Sequence, residues 1–147
     1  MAAPLLEVAG LTVSLDTDTG PADILADVSF AIARGESVGL VGESGCGKSM
    51  TALAIMGLLP SAVRARGTIR FDGRDLLTAE EADLCALRGR RIAMIFQEPM
   101  TTLNPVKSIG EQIAEGMRLH LRLGRAEAEA RARRLLDRVG LPGPRFS

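Results

Sequence analysis

The sequence has no tryptophan and no tyrosine, a single histidine, two cysteines and two lysines in 147 residues. Cys46 and Cys85, in a chain without secretory features, exclude a disulfide framework and read as reduced thiols. The N-terminal MAAPLLEVAG carries neither a basic n-region nor an apolar h-region, so no signal peptide is expected. No apolar run reaches the roughly 18 residues of a membrane span. The longest candidate, TALAIMGLLPSAV at 51–63, is interrupted by Pro60. Formal net charge is zero, which points away from nucleic acid and from an acidic membrane surface as partners. There is no internal repeat and no low-complexity tract. These absences predict a cytoplasmic, soluble chain, free to dock onto a membrane protein.

What is present is a globular composition, 46% hydrophobic, long enough for one domain with a core. Residues 5–15 and 24–33 are predicted strands, separated by turn material in DTDTGPAD (16–23). SVGLV at 37–41 and RIAMIF at 91–96 are short, almost continuous apolar runs, the pattern of strands buried on both faces of a parallel sheet. GTIRFDGRDL at 67–76 predicts a strand running into an Asp72-Gly73 turn. Helices are predicted over 50–59, ended by Pro60, and over 78–87, with Thr78 as N-cap and Glu81 completing a capping box. Two amphipathic helices follow. One spans about 108–122 with Ile109, Ile113, Met117 and Leu121 on one face, and the other spans about 126–139 and closes at Gly140. The face at Ile109, Ile113 and Met117 reads as a core stripe. Arg88, Arg90 and Arg91 read as a solvated face, and His120 as a surface or boundary residue.

The chemistry is concentrated in GESGCGKSM, residues 42–50. Four residues separate Gly42 from Gly47, and Lys48 and Ser49 follow, which is the spacing of a phosphate-gripping loop. Gly42, Gly45 and Gly47 permit backbone angles that a Cβ forbids, so the loop N–H groups can converge on anionic oxygens. The helix beginning here adds the positive end of its dipole. Lys48, one of only two lysines, adds a full charge near the β- and γ-phosphates, and Ser49 offers a hydroxyl to Mg2+. Glu43, Ser44, Cys46 and Met50 complete the candidate nucleotide-binding set. Cys46 is either a small filler contributing only its N–H or a thiol whose alkylation blocks nucleotide entry. Gln97, at the end of the 91–96 run, is by itself an ordinary polar strand end. It is also placed where an amide oxygen can meet magnesium or an attacking water.

The loop alone does not select one machine among many. GESGCGKS, RGTIRFDGRDL and RIAMIFQEPMTTLNPVKSIGEQIAE, in this order and spacing, resemble an ATP-binding-cassette subunit. More narrowly they resemble the nucleotide-binding subunits of oligopeptide and dipeptide importers, a group that includes nickel and glutathione importers. The resemblance implies an α/β P-loop NTPase fold in which 1–97 holds the β-subdomain and part of a RecA-like core. Residues 98–147 would then hold the Q-loop segment and the start of the helical lobe. It implies that Gln97 is the Q-loop glutamine, a catalytic water and magnesium contact beside Ser49. It implies ATP and Mg2+ as cofactors. The implied partners are membrane-spanning permease subunits and a second ATP-binding subunit, at the cytoplasmic face of the membrane, with no nucleic acid. The implied activity is ATP hydrolysis that energises solute import of the di- and oligopeptide class.

Three departures accompany the resemblance. The adenine-stacking aromatic expected upstream of the loop falls near Leu15, and the only upstream aromatic is Phe30. A threonine often follows the serine of the loop, where this chain has Met50. The family's LSGGQ signature, its apolar strand ending in Asp-Glu and its switch histidine do not occur in the 147 residues. The chain is therefore expected to correspond to the N-terminal part of a single cassette domain. Alone it should bind ATP weakly, hydrolyse none, because the family's water-positioning glutamate is not among the 147 residues, and aggregate, because SVGLV lacks its neighbouring strand. The rivals are a truncated or binding-only product, and a non-transport cassette ATPase of DNA repair or translation. The run EPMTTLNP speaks against the second of these.

Overall fold

A computed structural model describes residues 3–97 and 103–141. The chain divides into two compact units, Met1–Arg88 and Gly89–Ser147.

The first unit is built on a four-stranded antiparallel sheet in the order β2-β1-β3-β4. Its strands are β1 (Leu6–Thr17), β2 (Gly20–Ile32), β3 (Val63–Phe71) and β4 (Arg74–Asp75). β1 and β2 form a hairpin closed at Thr17 and Gly20, so the strands extend further into DTDTGPAD than composition suggests. The reason is local: the Thr17 hydroxyl donates to the Gly20 carbonyl and tightens the turn. β1 is the central strand, paired to β2 on one side and to β3 on the other. Both of its edges are therefore satisfied, and Val8, Leu11 and Val13 are buried together with Ile69 of β3. Each such side chain contributes about 1.5–3 kcal/mol of apolar burial. The expected Asp72-Gly73 turn is present, with both residues at positive φ (52° and 80°), the backbone of a tight hairpin. β3 begins at Val63, earlier than position 67.

Helix α1 (Lys48–Met56) is shorter than predicted at its C-terminus. Gly57, in the left-handed region at φ 63°, ends it before Pro60 is reached. Helix α2 (Glu81–Leu87) starts later than the predicted capping box. Glu80 is its N-cap and makes no side-chain cap bond, so Thr78 does not serve as the cap.

The second unit contains α3 (Ile109–Leu121) and α4 (Arg125–Arg138). Ser108 caps α3 by accepting from the Glu111 N–H at 3.1 Å. The two helices close on Ala114, Ala128 and Ala132, with Ile113, Met117 and Leu123 packed around them. Ile113 and Met117 are thus core-forming, as the periodicity predicts, whereas Leu121 is exposed. Gly140 follows α4 at φ 76°.

The largest correction concerns the two apolar runs. Neither 37–41 nor 91–96 pairs into a sheet; 37–41 is exposed throughout and 91–96 is mostly exposed, with only Ile92 and Met94 half-buried, where burial was expected. Val41 is 89% exposed and Ile95 is 96% exposed. An extended run acquires strand identity only through a continuous hydrogen-bonded neighbour; 37–41 has none among the described residues, and 91–96 has only an isolated bridge, in which Ile92 O accepts from the Gly89 N–H at 2.8 Å. The segment 98–102, which holds EPMTT, lies outside the described residues. No described helix is long and apolar enough to cross a membrane.

Candidate nucleotide-binding site

The candidate site is the loop joining the 37–41 run to α1. Gly47 stands at the N-cap of α1 with φ 93°, and no side chain caps the helix. No acidic residue occupies its first turn. The first N–H groups of α1 therefore have neither an intrahelical acceptor nor a competing carboxylate, and they carry the positive end of the helix dipole. Within loop 42–47, the described backbone hydrogen bonding is a single bond, from the Cys46 N–H to the Glu43 carbonyl at 3.3 Å. The other loop donors are open to an anion.

Glycine is required sterically at Gly47, and at Gly42 it lets the Cys46 side chain pack close. A Cβ on Gly47 would lie 2.1 Å from Leu25 Cδ2, and its positive φ disfavours any side chain. A Cβ on Gly42 would lie 2.4 Å from Cys46 Sγ. The loop can thus close on itself with Cys46 folded beneath Gly42, while the start of α1 rests against β2.

Lys48 reaches back over the loop. Its Nζ donates to the carbonyls of Gly42 and Glu43, both at 2.7 Å, and lies 3.6 Å from Cys46 Sγ. The ammonium is therefore held above the same backbone whose N–H groups are available. Thr51, buried behind the loop, locks the first turn. Its N–H donates to the Gly47 carbonyl at 2.9 Å and its hydroxyl to the same oxygen at 3.1 Å. Glu43, Ser44, Gly45, Cys46 and Ser49 are exposed, and Met50 is half-buried. Cys46 and Cys85 are both free thiols.

The remaining predicted residues fall elsewhere. Gln97 is exposed and belongs to the second unit. Leu15, at the position where an adenine-stacking aromatic was sought, is partly exposed on β1 opposite Ala22 and Val63. His120 is half-buried, packed so close to Gly89 that a Cβ there would lie 2.7 Å from its Nε2. His120, Ile113, Met117 and Arg90 line an open cavity of about 370 Å³ in the second unit. No described group of histidine, cysteine, aspartate and glutamate forms a metal cluster.

Arg88 departs from the solvated face expected for it. Its side chain is only 19% exposed and grips the end of α1. Glu81, its partner, lies seven residues earlier on the same face of α2. That spacing is the one sequence signal of the pairing. Hydrogen bonding to Arg88 and, to a lesser extent, Cys85 holds the Glu81 carboxyl below its ordinary value. The same Glu81 contact raises the Arg88 guanidinium.

A glycine-rich loop between an apolar run and an uncapped helix, with the lysine laid across it, defines a phosphate-loop nucleotide-binding domain. The chain belongs to the ABC transporter family, whose model matches residues 25–146. A Brucella abortus (strain 2308) protein provisionally named a peptide import ATP-binding protein is 50% identical over 141 residues, covering 95% of this chain. The oligopeptide transport ATP-binding protein of Salmonella typhimurium is 45% identical over 141 residues, covering 96% of this chain. The chain spans 42% of the length of each of these relatives. Among solved structures, a dimeric bacterial ABC transporter cassette superposes with a TM-score of 0.80 at 24% identity, covering 96% of this chain and 59% of that one. A likeness at that identity shows the fold: a mixed α/β cassette fold with an antiparallel sheet in its N-terminal part. The family is a nucleotide-binding one.

Proposed function

We propose that this chain is the ATP-gripping part of a subunit that energises uptake of di- or oligopeptides. The observation that carries the reading is the loop itself, with open N–H donors, an uncapped α1 and the Lys48 ammonium above them. The relatives named for peptide import supply the substrate class.

In this reading the backbone of Gly42, Glu43, Ser44, Gly45, Cys46 and Gly47 surrounds the β-phosphate, and Lys48 balances the charge of the terminal phosphates. Met50 contributes its N–H alone. The donor set fits ATP, because all of it is N–H or ammonium. Mg2+ would be held by the Ser49 hydroxyl and the Gln97 amide oxygen, neutralising phosphate charge; Gln97 would also orient the attacking water. The whole domain pairs with a second ATP-binding subunit and docks on membrane-spanning permease subunits at the cytoplasmic face of the membrane. The 1–97 and 98–147 segments serve as the catalytic-core and helical portions of one cassette domain.

The experiment is MgATP titration of the intact protein and its Lys48→Ala variant by calorimetry, joined to uptake of a labelled tripeptide by cells carrying either gene. The proposal expects Lys48→Ala to weaken ATP and abolish uptake. Unchanged ATP affinity in the variant overturns the site, and ATP binding without peptide uptake by the unmutated gene overturns the substrate class.

A further inference from the structure

Helix α1 has two ends, and the phosphate loop uses only one. The other end is held by both backbone and side-chain donors. Its last turn closes around Gly57: the Gly57 N–H donates to the Ala54 carbonyl at 3.1 Å and the Leu58 N–H to the Leu53 carbonyl at 2.9 Å. Those two bonds satisfy the carbonyls of Leu53 and Ala54 in the glycine-terminated manner common to helix ends. Of the carbonyls left beyond these, a single side chain takes two, those of Met56 and Gly57. Arg88 Nε donates to Met56 O at 2.8 Å and Arg88 Nη2 to Gly57 O at 2.8 Å.

The guanidinium is itself held from behind. Its Nη1 and Nη2 pair with the two carboxylate oxygens of Glu81, in the first turn of α2. The Arg88 backbone N–H donates to the Leu84 carbonyl at 2.9 Å, and Leu84 is buried against Gly57. A Cβ at position 57 would lie 2.8 Å from Leu84 Cδ1 and 3.1 Å from Arg88 Nη2, so only glycine admits this approach. The rigid planar fork of arginine suits two neighbouring carbonyls and one carboxylate at once, and an ammonium cannot reproduce it.

We infer that Arg88 is a positioning residue for the nucleotide site, acting through α1 on Lys48 and Ser49. This rests on the reading of the loop as the ATP site. Arg88 places a cation at the negative end of the α1 dipole while the phosphates occupy the positive end. It also pins the C-terminus of a helix of nine residues whose first two residues are Lys48 and Ser49. Loss of the fork frees the far end, and the near end then meets the phosphates with a less fixed orientation. A one-helix lever of this length transmits a tilt directly, because the helix is a single hydrogen-bonded rod.

The test uses the intact protein with Arg88→Gln, Arg88→Lys and Glu81→Gln. MgATP affinity is measured by calorimetry at a temperature well below each variant's unfolding midpoint. Arg88→Gln should weaken MgATP roughly three- to tenfold, from loss of the helix-end cation and of the anchor. Arg88→Lys keeps the charge and should recover about half of that loss on a logarithmic scale. Glu81→Gln should give the smallest loss. A purely structural Arg88 would lower the unfolding midpoint and leave affinity of the folded protein unchanged in all three, which overturns the proposal. Should Arg88→Gln fail to fold, Arg88→Lys decides the matter by the same criterion. Lys48→Ala separates the proposal from the reading beneath it: if that variant also binds MgATP normally, the site assignment itself has failed.

Discussion

Two stretches of the first unit have nearly the same apolar character and opposite fates. EVAGLTV in β1 is enclosed, with Leu11 and Val13 fully buried. SVGLV, some thirty residues later, leaves Val38, Leu40 and Val41 exposed. The difference lies in pairing. β1 has β2 on one edge and β3 on the other, so its N–H and C=O groups are used and its side chains are covered. The 37–41 run has no described sheet neighbour. Apolar content therefore makes a segment fit for burial, and a partner strand completes it.

The largest expected effect breaks the covered side of the comparison. Leu11→Ala should cost about 2–5 kcal/mol of stability, read as a lowered denaturant midpoint, since it opens a cavity under β2 and β3. Next comes the functional end of the uncovered side. Lys48→Ala should weaken MgATP roughly ten- to hundredfold, in line with the loss of one charge-assisted contact of about 1.5–3 kcal/mol. A smaller effect is expected from the thiol beneath Gly42. Labelling Cys46 with maleimide should reduce nucleotide binding, and ATP should slow the labelling. Full Cys46 labelling with unchanged binding would show that the side chain is only a filler.

Val41→Ala should change the stability of the 147-residue chain by no more than about 0.5 kcal/mol. A loss comparable to that of Leu11→Ala would show the run to be covered in solution. Turbidity of the same chain should fall with Val41→Lys, because a charge interrupts an apolar run available for pairing.

The smallest effect concerns pH. Glu81 has a depressed folded-state pKa, so its contribution is present above the unfolded carboxylate value and lost as pH falls through the folded one. The stability gap between the native chain and Glu81→Gln should therefore be seen at neutral pH and close in acid, below the usual carboxylate range. A gap independent of pH would contradict the pairing.

Much of this molecule was legible in order. The loop's place at the start of α1 was readable because its candidate residues are adjacent in sequence, where four-residue spacing places glycine, lysine and serine at one helix start. α3 was readable from its apolar periodicity, which spans only a few residues at a time; its Ser108 cap came from the structure. The Asp72-Gly73 turn is equally local. Arg88 was not readable, because its partners at Met56 and Gly57 lie some thirty residues away and nothing in RGRR distinguishes a gripping arginine from a solvated one.

The sequence by itself marked the loop proposed to hold phosphate, because that needs only short-range backbone geometry and one charge. Tertiary structure alone decided which apolar runs are covered and which cation braces α1. Hydrogen-bond partners and burial are properties of pairs of segments, and a pair distant along the chain leaves no local trace.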